Sequence, residues 1–406
     1  MVPMSSPLGQ QQAPRVCIVS VQHGPRDSRV VHKLAAGLRD AGCQVIWVGP
    51  SSPNQFGESG IDVRIFRPAS TRLQRPLQWV RAYSAARMVP DVDAYCGVSP
   101  DSAYLAVKLA MASGAHAIFD LHEVYHHEML NAWAPAVLHR LLGAGVKLLV
   151  AHVARHSALV VASSERVLSP YLHVCRAAVV VRNCAPEWFG AEPAPLRHAN
   201  RLVVMHGKVA MGDSLVTRGT ATVLKALAMA KAQGCDVGVI AFDNLEEDTG
   251  VDGPSIRRQF LALIAQLGIG CEVEMRPEIP IDQMPKALAH VNVGIIAYSR
   301  EFGENSLPGR LFEYMAAAVP VIGPTYSLDI AGVIEREQCG LLADCEDPAD
   351  VARAFCWLSR HQYEAEQMGI RGRAAFLQRY CLEREILPLV AKIHELVEHP
   401  AKMPLT

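Results

Sequence analysis

The sequence predicts an α/β protein of two Rossmann-like, doubly wound domains facing each other across a cleft. Three observations carry that expectation. Short β-branched runs without a polar face recur along the chain, as strands covered on both sides require. Apolar residues at helical spacing fill the intervals between them. One aperiodic stretch, residues 183–200, rich in Pro, Ala and charge, interrupts the alternation midway and reads as a linker. At 406 residues the chain also exceeds what one hydrophobic core usually organises.

The first strand is expected at residues 16–21. Val30, Val31, Leu34, Ala35 and Leu38 then recur at helical spacing, and Ala41-Gly42 stops that helix before a second strand at 44–48. Strands at 63–66, 94–98, 117–121, 158–162 and 178–181 continue the pattern, with helices around 77–88 and from Asp101. After the linker, strands are expected at 202–205, 237–241, 272–275, 293–296 and 319–322. Residues 349–379 and 383–398 read as helical with no further strand. The expected division is a disordered leader at 1–14, a first domain at 15–190, a second at 191–382 and a terminal helical segment at 383–406.

Composition narrows the function classes. A formal net charge of -1 and a pI near 7 give no electrostatic case for nucleic acid. The N-terminus lacks a basic region followed by an apolar run, so no signal peptide is expected. No apolar segment approaches the roughly 20 residues that span a bilayer. Eleven cysteines, an odd count without a C-x-x-C pair, lie mostly inside apolar runs, which predicts reduced, buried thiols and a cytoplasmic location.

The most informative stretch is N-S-L-P-G-R-L-F-E-Y-M-A-A-A-V-P-V-I, residues 305–322. A helix starting near Gly309 places free backbone N–H groups at a positive partial charge, a seat for phosphate. Glu313 follows one turn later, where a carboxylate can accept hydrogen bonds from ribose hydroxyls. The stretch resembles the donor-site motif of family 4 retaining glycosyltransferases of the GT-B fold, many of which carry a glutamate where Asn305 stands here. Asn305 can still bond sugar hydroxyls but does not supply that negative charge.

Further residues match the resemblance. His206-Gly207-Lys208 follows the first strand of the second domain, and Arg218-Gly219 opens its first helix. The family directs basic residues from these places at the donor diphosphate, so Gly207, Lys208 and Arg218 join Asn305, Gly309, Arg310 and Glu313 as expected donor-binding residues. Ordinary surface cations at element ends are the competing reading. Arg310 could equally pair with Glu313, three residues on.

In the first domain, His23-Gly24-Pro25-Arg26-Asp27-Ser28-Arg29 joins the first strand to the first helix. Gly24 is a candidate for close approach to the donor diphosphate. Asp27 and Arg29 match an Asp-x-Arg pattern of the family, although Asp27 could simply cap the helix. Asp120-Leu121-His122-Glu123 resembles a D-x-H-E stretch whose His faces the reacting sugar, with Glu123 as the group that would hold its tautomer. The resemblance thus implies His122, Lys208, Arg218 and Asn305 as catalytic, and Asp27, Arg29, His122 and Glu123 as acceptor-side residues.

Two metal patterns compete. His122 to His126 spells H-E-x-x-H, but a zinc site needs both imidazoles on one helix face, and here the pattern follows a strand. Asp91-Val92-Asp93 mimics a D-x-D metal motif but reads as a pair at a strand edge. The resemblance implies no metal and no cofactor, only a nucleotide sugar as substrate. It also implies a glycan, lipid-linked or small-molecule acceptor, with cell-surface polysaccharide or glycolipid synthesis as the setting, and a terminal helix crossing back to the first domain. Residues 132–156 combine Arg140, Lys147, Arg155 and several His with leucines, a face suited either to the inner surface of a membrane or to its own sheet. A nucleotide-sugar 2-epimerase and a catalytically weak nucleotide-sugar-binding relative remain open beside the transferase.

Overall fold

A computed structural model describes residues 13–25, 27, 29–51, 60–69, 74–123, 125, 139–190, 201–210, 214–244, 253–304 and 306–399. Most of the expected leader, Asn305, His126 and the start of the 132–156 helix lie outside the described residues. Two compact units are present, Met1–Val181 with Ile386–Thr406, and Arg182–Glu385. The first boundary falls earlier than the sequence suggested. Residues 182–190 belong with the second unit, where Arg182 donates to Glu385 and Leu382 N–H to Ala185 O at 2.9 Å.

The first unit is a seven-stranded parallel sheet in the order β3-β2-β1-β4-β5-β6-β7. Its strands are β1 Arg15–Val19, β2 Gln44–Pro50, β3 Asp62–Phe66, β4 Ala94–Gly97, β5 His116–Leu121, β6 Leu159–Ala162 and β7 Ala178–Val180. Successive side chains point to opposite faces, and both faces are covered, which is why these runs lack a polar stripe. Cys17, Val19 and Phe119 pack with Leu105, Leu109 and Val153, which come from helices α2 Pro100–Ser113 and α3 His139–His156. Val16, Ile18 and Ile118 pack with Val30, Leu34, Leu38 and, from the terminal helix Leu387–Val397, Leu389, Val390 and Ile393. Phe119 is wholly buried, so truncating it to alanine should cost about 3–5 kcal/mol.

The helix after β1 begins as a π-helical turn, Val30–Ala35, before α1 Ala36–Asp40. Leu34 N–H reaches Arg29 O at 2.8 Å, the longer i−5 bond that widens the turn.

The second unit is a six-stranded parallel sheet, β10-β9-β8-β11-β12-β13. The strands are β8 Leu202–Lys208, β9 Val237–Asp243, β10 Val273–Pro277, β11 Val293–Ile295, β12 Val321–Pro324 and β13 Gly340–Ala343. The strand expected at 319–322 starts two residues later, because Ala318 takes a positive φ of 56° to close the preceding helix. β13 escaped the sequence reading: four residues, Gly-Leu-Leu-Ala, are too few to show a period. The expected helix at 349–379 is divided into Pro348–Arg360 and Gln362–Ala375, ending in a π turn at Phe376–Tyr380.

The cysteine expectation needs correcting. Cys235 and Cys356 form a disulfide, their Cα atoms 5.8 Å apart where the helix Pro348–Arg360 crosses the approach to β9. The thiols of Cys17, Cys43, Cys96, Cys339, Cys345 and Cys381 are buried and outside any disulfide. Among the described residues no helix is long and apolar enough to cross a membrane.

Candidate active site

In an open parallel sheet, ligands bind beyond the carboxyl ends of the strands where the strand order reverses. That point lies between β8 and β11 in the second unit and between β1 and β4 in the first. Gly207, Lys208, Arg218 and Arg310 lie at the first place, and Asp27, Arg29 and His122 at the second.

At the end of β8 a bulge falls between Met205 and Gly207, and Gly207 takes φ +89°. The backbone favours glycine there, and a side chain would have to displace the guanidinium of Arg310. Arg310 belongs to α4 Gly309–Ala316 and reaches back from its first turn to donate to His206 O at 2.6 Å. Burial opposes its charge, but Tyr314, Tyr298 and Glu313 together raise its pKa. Tyr314 donates its hydroxyl to Met205 O at 3.0 Å and anchors the same helix to β8. The pairing of Arg310 with the backbone of β8, more than with Glu313, sets its position.

Arg218 stands just before the helix Thr220–Ala232. Gly219, at φ +70°, lies so close to Ala297 O that no side chain would fit. The Arg218 Nε donates to Ala210 O at 3.1 Å, and its guanidinium lies 5.8 Å from the Tyr298 ring. Asn244 latches the same loop, accepting from Ala210 N–H at 3.2 Å and donating to its carbonyl at 3.0 Å. Lys208 Nζ meets Glu278 Oε1 at 2.5 Å. Three cations therefore gather near the carboxyl end of β8, and Glu313 acts on Arg310 from the same helix.

Buried His206 sits beneath these cations. Thr220 gives its own proton to Val209 O, so it accepts from His206 Nε2–H at 2.7 Å and leaves Nδ1 as a buried lone pair without a partner. Burial, then the charges of Arg310 and Arg218, lowers its pKa to about 3. Neutral His206 avoids adding repulsion between two guanidiniums.

At the other switch point, Arg29 grips the fully buried Asp120 with two bonds, Nη2 at 2.7 Å and Nε at 3.3 Å. Burial would raise the Asp120 pKa, but Arg29 and His122 hold it well below the carboxylate range. His122 Nδ1 lies 3.3 Å from Asp120 and 3.2 Å from the Tyr125 hydroxyl. Asp120 is thus placed to hold the imidazole at that nitrogen. His122 follows β5 directly.

Asp27 accepts from Arg29 N–H at 3.0 Å and Val30 N–H at 2.8 Å with one oxygen, and from His23 Nδ1 at 2.8 Å with the other. It caps the π turn. Burial acts against its charge, but these bonds lower its pKa to about 2. The His23 and His122 rings meet edge-on, centroids 5.6 Å apart. Gly24 has room for a methyl group, its nearest contact being Pro50 O at 3.7 Å, so packing does not demand glycine there. Asp93 accepts from Arg15 N–H at 2.7 Å at the opposite, N-terminal end of the sheet, which gives it a structural task.

Sequence reading missed Glu278, His23, Tyr298 and Asn244. His23 was legible, since it stands in the same loop as Asp27; Glu278 carries no pattern of its own.

Residues 222–361 match the family model described as glycosyl transferases group 1. No curated protein matches the sequence. Among solved structures, sucrose-phosphate synthase from Thermosynechococcus elongatus aligns at TM-score 0.70 and 15% identity, over 95% of this chain and 100% of that one. A glycosyltransferase from Rickettsia africae aligns at 0.71 and 14%, over 96% and 100%. Anabaena Alr3699/HepE, solved in complex with UDP, aligns at 0.70 and 13%, over 94% and 100%. At these identities the likeness speaks for fold alone, that of the GT-B glycosyltransferases. With the family model in the second unit, the class is a glycosyltransferase.

Proposed function

We propose that this glycosyltransferase is a retaining enzyme of the family 4 type that transfers a sugar from a nucleotide-sugar donor to a hydroxyl of a glycan, lipid-linked or small-molecule acceptor. The observation that carries the reading is the gathering of Lys208, Arg218, Arg310 and Glu313 at the reversal point of the second sheet. As the bond between sugar and diphosphate breaks, negative charge grows on the leaving group. Cations fixed beside it stabilise that state more than the ground state. Glu313, half-buried one turn into α4, suits the ribose hydroxyls. In the first unit, His122 held at Nδ1 keeps Nε2 as the nitrogen that can meet a sugar hydroxyl.

A thermal-shift screen of nucleotide sugars tests donor binding, because a ligand of the native state raises the melting temperature. Proton NMR of the product with the best donor then tests retention at the anomeric carbon. A product of inverted configuration overturns the retaining assignment, and donor conversion without an acceptor points instead to an epimerase.

A further inference from the structure

Residues 139–180 contain Arg140, Lys147, Arg155, Arg166 and Arg176 but only one acidic residue, Glu165, in a chain whose formal net charge is -1. Helix α3, His139–His156, carries no acidic residue. Its outward stripe runs through Ala144, Leu148, His152 and Arg155 at helical spacing, and Leu148 is 71% exposed. Facing it, Val174 and Arg176 form a second bank beside Leu172, itself 58% exposed. Between them lies an open depression of about 730 Å³ whose lining includes Leu148, Ala151, Val174, Arg155 and Arg176.

We propose that this face of the first unit docks on the surface of an anionic lipid bilayer. Arg155, Arg176 and Lys147 then meet headgroup phosphates while Leu148 and Leu172 enter the interfacial layer. Two features select a bilayer over a small anion. Charge is spread along a helix and a separate loop, without a closed ring of buried donors. Exposed leucines interleave with the cations, the pattern of a helix lying in an interface. The attraction needs a negative surface and weakens with salt. The proposal is independent of the transferase reading.

The test is co-sedimentation of the purified full chain with vesicles of phosphatidylcholine alone, and of equal phosphatidylcholine and phosphatidylglycerol. Binding is expected only to the mixed vesicles and should fall as salt is raised. Arg155→Glu with Arg176→Glu should weaken it by more than about tenfold, whereas Arg155→Lys with Arg176→Lys should bind like the parent chain. Leu148→Ser should weaken binding at every salt concentration. These side chains are exposed, so an unchanged melting temperature certifies folding. Equal binding to both vesicle types, no binding, or an unaffected double Glu variant overturns the proposal. So does displacement by inorganic phosphate at constant ionic strength.

Discussion

Lys208 Nζ lies 2.5 Å from Glu278 Oε1, so the cation offered by β8 is already held by a carboxylate that follows β10, two strands away in the sheet. The other Glu278 oxygen is buried and lacks a hydrogen-bond partner. A diphosphate approaching Lys208 must compete with this carboxylate. Both side chains are partly exposed, and such pairs are worth only about 0–1 kcal/mol. Glu278→Gln should therefore tighten binding of a nucleoside diphosphate by about two- to fivefold, read by isothermal titration. Weaker binding in that variant would mean that Glu278 positions Lys208 rather than competing for it.

Lys208 and Arg218 approach the switch point from different elements, and their removal should differ in side effects. Lys208→Ala should lower kcat/KM by roughly tenfold to a thousandfold with little change in melting temperature, because its pair is partly solvated. Arg218→Ala should lower both, since its guanidinium also holds Ala210 O. Full turnover in both variants with the natural donor would remove these residues from the catalytic assignment.

Gly207 offers a test of geometry without touching a charge. Alanine there must adopt φ near +89° and would push into the Arg310 guanidinium. The backbone strain alone is about 1–3 kcal/mol. Gly207→Ala should lower the melting temperature and weaken nucleotide binding together, whereas Gly24→Ala, with space for its methyl, should leave stability nearly unchanged. Calorimetry on the two variants decides the matter.

Why some of this was visible in sequence follows from where information resides in the chain. Doubly covered strands such as β1 and β6 must be apolar on both faces, so they announce themselves. Helix starts that present cations beside glycine, as at Arg218-Gly219, are likewise local. Long-range pairings leave no such trace. Cys235 and Cys356 are 121 residues apart, and Glu278 finds Lys208 only because β10 and β8 flank β9. Arg310 could be placed beside Glu313 from helical spacing, but its bond to His206 O depends on the register of the β8 bulge. Local patterns thus named the cations; only the fold says what already holds them.

His206 makes a pH prediction whose sign can be worked out. Its folded pKa of about 3 lies below the ordinary 6.5, owing to burial and then to Arg310 and Arg218. Between those values the unfolded chain binds a proton that the folded chain refuses. Stability therefore rises with pH through this window and is lost as pH falls from about 6.5 toward 3. Asp27, lowered to about 2 despite burial, adds a loss that begins below its ordinary 3.8. His23 acts oppositely: burial disfavours its charge, but Asp27 raises its pKa, so its contribution is present in acid and fades as pH climbs past the folded value. Urea denaturation from pH 7 to 4 should show stability falling by on the order of several kcal/mol. His206→Gln, whose amide can still donate to Thr220, should flatten that slope; a variant curve parallel to the parent's would mean that His206 is not the group refusing the proton.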